Sequence, residues 1–185
     1  MGQIISGITR LLYSEPHPMI LMLGLDRSGK TTILYRLKLG QVMATIPTGS
    51  GFNVETVKIK NSKLTVWDIG YSDMMVPLWS HYYYTDSVGV VFVVDSSDVE
   101  RIEEASNILS EVLSDEKLKK KPLLVVSNKV DLVKSKNTTE MTDLLCLQKY
   151  KDREWFIQET SATTGLGLEE GFYWLARNIM KTNKG

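Results

Sequence analysis

One short run constrains this chain more than any other: Gly24-Leu25-Asp26-Arg27-Ser28-Gly29-Lys30-Thr31 fits the pattern G-x-x-x-x-G-K-[ST]. Before it, Met19 to Leu23 (MILML) reads as a buried strand. After it, Thr31 to Leu39 reads as a helix with Ile33, Leu34 and Leu37 on one face, stopped by Gly40. The glycines let the backbone wrap closely, so that N–H groups point inward at phosphate oxygens. The helix N-terminus adds partial positive charge. Lys30 places a point charge between outer phosphates, and the Thr31 hydroxyl can ligate Mg2+, which keeps most of its shell as water and phosphate oxygen. A chance match to a short pattern is the competing reading, and the flanking strand and helix weigh against it. With Thr32, these residues form the candidate phosphate site.

The remaining chain repeats the strand–helix alternation. Phe52 to Ile59 and Lys63 to Trp67 are β-rich runs around Asn61-Ser62, a hairpin signature. Gly89 to Val94 (GVVFVV) is a near-continuous apolar strand of the kind covered on both faces. Ile102, Ala105, Ile108, Leu109 and Val112 mark an amphipathic helix. Leu123 to Ser127 is a strand, Thr138 to Leu147 a helix carrying Cys146 as a small apolar residue, and Trp155 to Gln158 a last strand. Leu168, Phe172, Leu175 and Ile179 line a closing helix. The pattern predicts βαβ units and one α/β sheet. The lysines Lys119 to Lys121 before Pro122 read as a solvated helix end.

Composition narrows the function classes. The 185 residues carry 22 Lys+Arg and 22 Asp+Glu, so there is no broad electrostatic footprint for nucleic acid. An apolar fraction of 43% and a charged fraction of 24% are ordinary for a globular chain. One cysteine excludes a disulfide scaffold, and with only His17 and His81 no histidine-rich metal site can be assembled. No apolar run approaches the roughly 20 residues of a spanning helix, and the N-terminus lacks a long h-region with a cleavage site. A reducing, cytoplasmic setting and a monomer are the expectation.

A phosphate loop alone leaves kinases, ATPases and GTPases open. Asn128-Lys129-Val130-Asp131 follows directly on the LLVVS strand. A carboxylate at Asp131 can accept from guanine N1–H and the exocyclic amine, a donor pair that adenine does not present. Asn128 would tie the loop together, the Lys129 stem would cover the base, and Ser161-Ala162-Thr163 after the last strand would offer backbone N–H to the guanine oxygen. A P-loop nucleoside kinase is disfavoured by NKVD and by the missing lid segment.

The chain resembles the ADP-ribosylation factor (Arf) and Arf-like family of small GTPases essentially from end to end. The resemblance is carried by GLDRSGKTTILYRLKLG, TIPT followed by GFNVETV, LTVWDIG, PLWSHYY, FVVDSSDVERI, NKVD and SAT. It implies a Ras-like P-loop fold with a mostly parallel six-stranded sheet, a GTP/GDP switch with Mg2+, exchange factors, GTPase-activating proteins, and effectors at membranes of the Golgi/endomembrane type. By the family pattern Lys30 and Thr31 hold phosphate and Mg2+. Thr48 completes the Mg2+ shell in the GTP state, and Asp68 reaches the ion through water. Phe52, Trp67 and Tyr82 match the aromatic triad that grips effectors, against the plainer reading of core packing.

Two departures matter. Where the family reads D-x-G-G-Q, this chain reads Asp68-Ile69-Gly70-Tyr71-Ser72. Tyr71 stands at the glycine whose N–H senses the γ-phosphate, and Ser72 stands at the glutamine that orients the attacking water. Loss of that positioner implies slow or absent hydrolysis. A nucleotide-bound scaffold without useful catalysis is therefore the alternative to a switch. The family's T-I-G-F is here Thr48-Gly49-Ser50-Gly51-Phe52, one residue longer. An insertion after Thr48 keeps its Mg2+ role, whereas register counted back from Phe52 puts Gly49 in its place. The intact spacing of IPT from Lys30 favours the first.

Residues 1–15 form a separate expectation from the nucleotide-binding domain at 16–185. Met1-Gly2-Gln3-Ile4-Ile5-Ser6 fits M-G-x-x-x-[ST], marking Gly2 for myristoylation. Ile4, Ile5, Ile8, Leu11 and Leu12 fall on one helical stripe. A myristoyl chain alone binds membrane marginally, and the stripe supplies the second signal. With Arg10 the helix's one cation, attraction to anionic lipid is expected to be minor.

Overall fold

The computed structural model describes residues 17–42, 51–72, 76–83 and 87–182, with the side chains of Tyr82 and Thr182 outside that set. The strands are β1 (Met19–Leu23), β2 (Phe52–Ile59), β3 (Ser62–Ile69), β4 (Ser87–Asp95), β5 (Leu123–Asn128) and β6 (Trp155–Glu159). The helices are α1 (Lys30–Leu39), α2 (Trp79–Tyr82), α3 (Ile102–Ser114), α4 (Thr138–Leu144) and α5 (Leu168–Thr182). The strands form one sheet in the order β2-β3-β1-β4-β5-β6, parallel except for the β2–β3 hairpin. The expected α/β fold with a mostly parallel six-stranded sheet is thus the observed one.

The central strands are buried on both faces because their side chains alternate between two cores. Leu21, Leu23, Val90, Phe92, Val94, Leu123 and Val125 pack with Ile102, Ala105 and Leu109 of α3 and Met141 of α4. Ile20, Met22, Val91, Val93, Leu124 and Val126 pack with Ile33 and Leu34 of α1 and Phe172, Leu175 and Ile179 of α5. Helices on both faces hold the carboxyl ends of β1, β4, β5 and β6 at one edge. The chain turns from β1 to the hairpin on one side and resumes with β4 on the other. A crevice opens at such a switch point, and ligands of open α/β sheets bind there.

Three local readings change. The hairpin pairs Ile59 with Ser62, so the turn is Lys60-Asn61 and not Asn61-Ser62. Lys60 takes the left-handed conformation at φ 52. The helix expected to run to Leu147 stops at Leu144. Leu145 and Leu147 are both fully buried, and residues two apart lie on opposing sides of a helix, so the chain must leave the helical path between them. Cys146 makes that break at φ 51 and is exposed, so it does not sit on a helix as an apolar packing residue. Lys119 to Lys121 follow a 3-10 turn, Glu116–Leu118, instead of an α-helix end; Lys119 pairs with Glu116, and the Lys121 ammonium donates to the Ser87 carbonyl.

Among the described residues no helix is long and apolar enough to cross a membrane. The expected amphipathic segment, with Gly2, falls outside the described residues, as does Thr48.

Candidate functional site

The loop from Gly24 to Lys30 leaves the carboxyl end of β1 and feeds α1. Its shape requires two glycines. Gly24 has φ 138, and a Cβ there would lie 2.1 Å from the Val93 carbonyl oxygen. Gly29 has φ 98, and a Cβ there would lie 2.4 Å from Asn128 Nδ2. Arg27 adopts φ 59 at the tip, and Ser28 Oγ donates to the Leu25 carbonyl at 2.8 Å. Gly29 is the N-cap of α1 and, having no side chain, makes no side-chain cap bond of its own.

Lys30 is folded back over this loop. Its Nζ donates to the carbonyls of Gly24 and Leu25, each at 2.8 Å. Burial lowers its pKa from the ordinary lysine value to about 8, opposed by Asp68 and Asp26. A buried ammonium held by carbonyl dipoles and more distant carboxylates gains from any anion seated in the loop. Thr31 Oγ1 donates to Asp68 Oδ2 at 2.7 Å, joining the start of α1 to the end of β3. Asp68 is fully buried, and Asn53 Nδ2 approaches the same oxygen at 3.4 Å. Thr32 is half-buried beside them. Hard oxygen donors at Thr31 and Asp68 fit Mg2+. Among the described residues no cluster of three or more His, Cys, Asp or Glu could hold a metal alone. That suits an ion that takes one or two protein oxygens and fills its shell with water and phosphate.

Asn128 ends β5 and is 1% exposed. Its Nδ2 donates to the Ser28 carbonyl at 2.8 Å, and its Oδ1 accepts from Thr160 Oγ1 at 3.2 Å and Ala162 N–H at 3.1 Å. Its own carbonyl accepts from Ser96 N–H at 2.9 Å and Ser96 Oγ at 2.7 Å. One residue therefore joins the phosphate loop, the segment after β4 and the turn after β6. Lys129 has φ 65, and its Nζ lies 2.6 Å from Asp95 Oδ2. Burial pushes the Asp95 carboxyl up, but Lys129 and Ser97 outweigh it and hold the pKa below the usual range. Asp131 is exposed beyond that pair. Ser161 and Ala162 are buried in the turn. The Ala162 amide, read from the sequence as a donor to a ligand, is engaged with Asn128.

After β3 come Tyr71 and Ser72, the two residues that break the family pattern. The Tyr71 ring stands edge-on to Trp79, centroids 6.0 Å apart at 64°, and its hydroxyl donates to Glu104 Oε1 on α3 at 2.5 Å. Its side chain is thus committed to α2 and α3. Trp79 is buried and donates from Nε1 to the Gly70 carbonyl at 3.0 Å. Gly70 N–H donates in turn to Gly51 at 3.0 Å, fastening the end of β3 to the approach to β2. The Ser72 side-chain oxygen is buried with no hydrogen-bond partner among the described residues.

Phe52 and Trp67 stack across β2 and β3, centroids 5.3 Å apart at 13°. Phe52 is 45% exposed, and Val54, two residues along the same strand, is exposed as well. Phe52 is therefore not core packing, whereas Trp67 is half-buried and packs against the core. The third aromatic, Tyr82, ends α2, and its side chain lies outside the described set. Residues not singled out from the sequence also build the site: Ser96, Thr160, Arg101 and Glu104. Arg101 and Glu104 are three apart at the start of α3 and visibly able to pair, but their contacts to Asp26 and Tyr71 are tertiary.

The model of the ADP-ribosylation factor family matches residues 5–179, and the chain belongs to that family. Its fold is that of a small GTPase. Among solved structures it is similar to the Arl6 BBS3 small GTPase from Trypanosoma brucei with the bound nucleotide analogue GppNp. The two share 31% identity over 90% of this chain and 99% of that one, with a TM-score of 0.78.

Asn128→Ala removes one donor and strands the groups it served. It is expected to lower unfolding stability by about 2–3 kcal/mol, read as a lower urea midpoint with an unchanged m-value.

Proposed function

We propose that this chain binds guanine nucleotide with Mg2+ and acts as an Arf-type GTP/GDP switch at a membrane surface, with hydrolysis weaker than the family pattern supports. The observation that carries the reading is the Asn128 side chain, which fastens the phosphate loop and the turn after β6 to the strand that leads into Asp131. Phosphate and base subsites set at a fixed separation are what a nucleotide site needs.

In this reading the amides from Gly24 to Thr32 and the Lys30 ammonium hold the phosphates. Thr31 and, through water, Asp68 hold Mg2+, which when bound offsets phosphate charge; Thr48 is the further ligand. Asp131 reads guanine by accepting two N–H donors, with Lys129, Ser161 and Ala162 framing the base. Asp131→Ala is expected to weaken mant-GDP binding by about a hundredfold, since unpaired polar groups discriminate strongly. Wild-type protein that neither co-purifies with GDP or GTP nor binds mant-GDP would refute the site.

Hydrolysis is the weak part because Ser72 is too short to orient a water without another water between. Single-turnover GTP hydrolysis is expected to be slow and to gain little from a GTPase-activating protein. Tyr71→Gly with Ser72→Gln is expected to speed it by about tenfold or more, since positioning supplies much of phosphoryl-transfer catalysis. A double variant as slow as wild type favours the second reading, a nucleotide-bound scaffold, which Tyr71's engagement with Glu104 also supports.

The Phe52–Trp67 stack, with Phe52 exposed, and Tyr82 are assigned to effectors. An exchange factor and a GTPase-activating protein are the other expected partners, without nucleic acid. Myristoylated Gly2 and the apolar stripe behind it are assigned to reversible endomembrane attachment. Gly2→Ala is expected to move the protein wholly to the soluble fraction on flotation with liposomes after co-expression with an N-myristoyltransferase; unchanged flotation would sink the acylation claim.

A further inference from the structure

We infer that Tyr71 is a positioning residue that couples the segment after β3 to the phosphate loop through Glu104 and Arg101. The link runs through parts of the chain that are far apart in sequence. Tyr71 Oη donates to Glu104 Oε1 at 2.5 Å. Arg101 Nε donates to Glu104 Oε2 at 2.8 Å, and Arg101 Nη2 reaches Glu104 Oε1 at 3.3 Å. The same Nη2 donates to Asp26 Oδ1, in the phosphate loop, at 2.7 Å. Every bond in this chain has at least one ionised partner, the stronger class of hydrogen bond. Bonds from Arg101 and from Tyr71 hold the Glu104 carboxyl below its usual range, so it stays an acceptor through neutral pH.

The other end of Tyr71 is fixed by packing. Its ring meets Trp79 edge-on, and Trp79 is buried and bonded to the Gly70 carbonyl. Gly70, Tyr71 and Trp79 therefore move as one unit, and Asp26 is tied to that unit by two side chains. A glycine at position 71 has neither the ring nor the hydroxyl and can make no such link. Displacing Asp26 is felt at Gly70, and releasing Tyr71 loosens the phosphate loop, without a third phosphate taking part. This is a second route of communication beside the direct one through Thr31 and Asp68.

The proposal rests on the nucleotide reading for one of its two tests only. In the full chain, Tyr71→Phe keeps the ring and removes the link. Release of mant-GDP into excess GDP is expected to quicken about threefold to tenfold in Tyr71→Phe and in Asp26→Asn, the loss of one charge-assisted bond. The double variant is expected to be no faster than the faster single variant, because both break one chain. Wild-type release from Tyr71→Phe, or single effects that multiply in the double variant, would overturn the coupling. The second test needs no nucleotide, so it separates failure of the relay from failure of the site. In 5-fluorotryptophan-labelled protein, Asp26→Asn is expected to shift the Trp79 resonance, and that shift is expected to vanish in the Tyr71→Phe background. No shift, or one undiminished without the hydroxyl, overturns the relay.

Discussion

The amide of Asn128 is the joint on which the site depends. It sits where three loops leave the sheet, and a backbone alone cannot hold loops from β1, β5 and β6 in register. Each of these loops has left its strand ladder, so its polar groups must find new partners in a buried place. A side-chain amide carries both a donor and an acceptor, and here each is used: Nδ2 on Ser28, Oδ1 on Thr160 and Ala162. Aspartate could not donate and leucine could do neither. Gly29 is part of the same constraint, since a Cβ there would meet the amide itself at 2.4 Å. The glycine of one motif and the asparagine of another, 99 positions apart, are thus a single packing solution.

The sheet makes that joint possible. Parallel strands present their carboxyl ends together, and cores on both faces leave those ends little freedom. Gly24 shows how tightly the loop is then drawn in, with the Val93 carbonyl of the neighbouring strand directly under its α-carbon. Lys30 follows from the same geometry. Its ammonium is buried by the loop it closes and partnered by the loop's own carbonyls, which leaves its positive charge incompletely offset and the loop suited to an anion.

Much of this was legible in the sequence, for reasons that differ by element. GVVFVV reads as a covered strand because its apolar side chains fill both cores, and Phe172, Leu175 and Ile179 read as one helix face because they fill one of them. The phosphate loop and NKVD are legible because backbone conformation and contact chemistry force residue types at fixed spacings. The turn at Lys60-Asn61 and the break at Cys146 were not legible. Lysine and cysteine at φ 52 and φ 51 contradict local preference, and tertiary burial of Ile59, Leu145 and Leu147 overrides it. The destination of Tyr71 was also hidden. Its substitution for glycine is plain in the chain, but the sequence does not say that the ring would turn onto Trp79 and the hydroxyl onto Glu104.

That destination alters what the substitution means physically. A side chain added beside a phosphate site can act by filling it, and a bulky residue at a glycine position suggests just that. Here the bulk is taken up by an aromatic contact and a charged acceptor on neighbouring helices. The end of β3 is fastened there by protein groups alone: Gly70 to Gly51 and Trp79, and Tyr71 to Glu104. A segment held by protein groups has less to gain from a ligand, since a ligand shifts a conformational equilibrium only by its differential affinity for the two states. The Phe52–Trp67 stack lies on the strands that lead into this segment. Fastening Gly70 and Tyr71 therefore also restrains the end of β3 on which that stack is built.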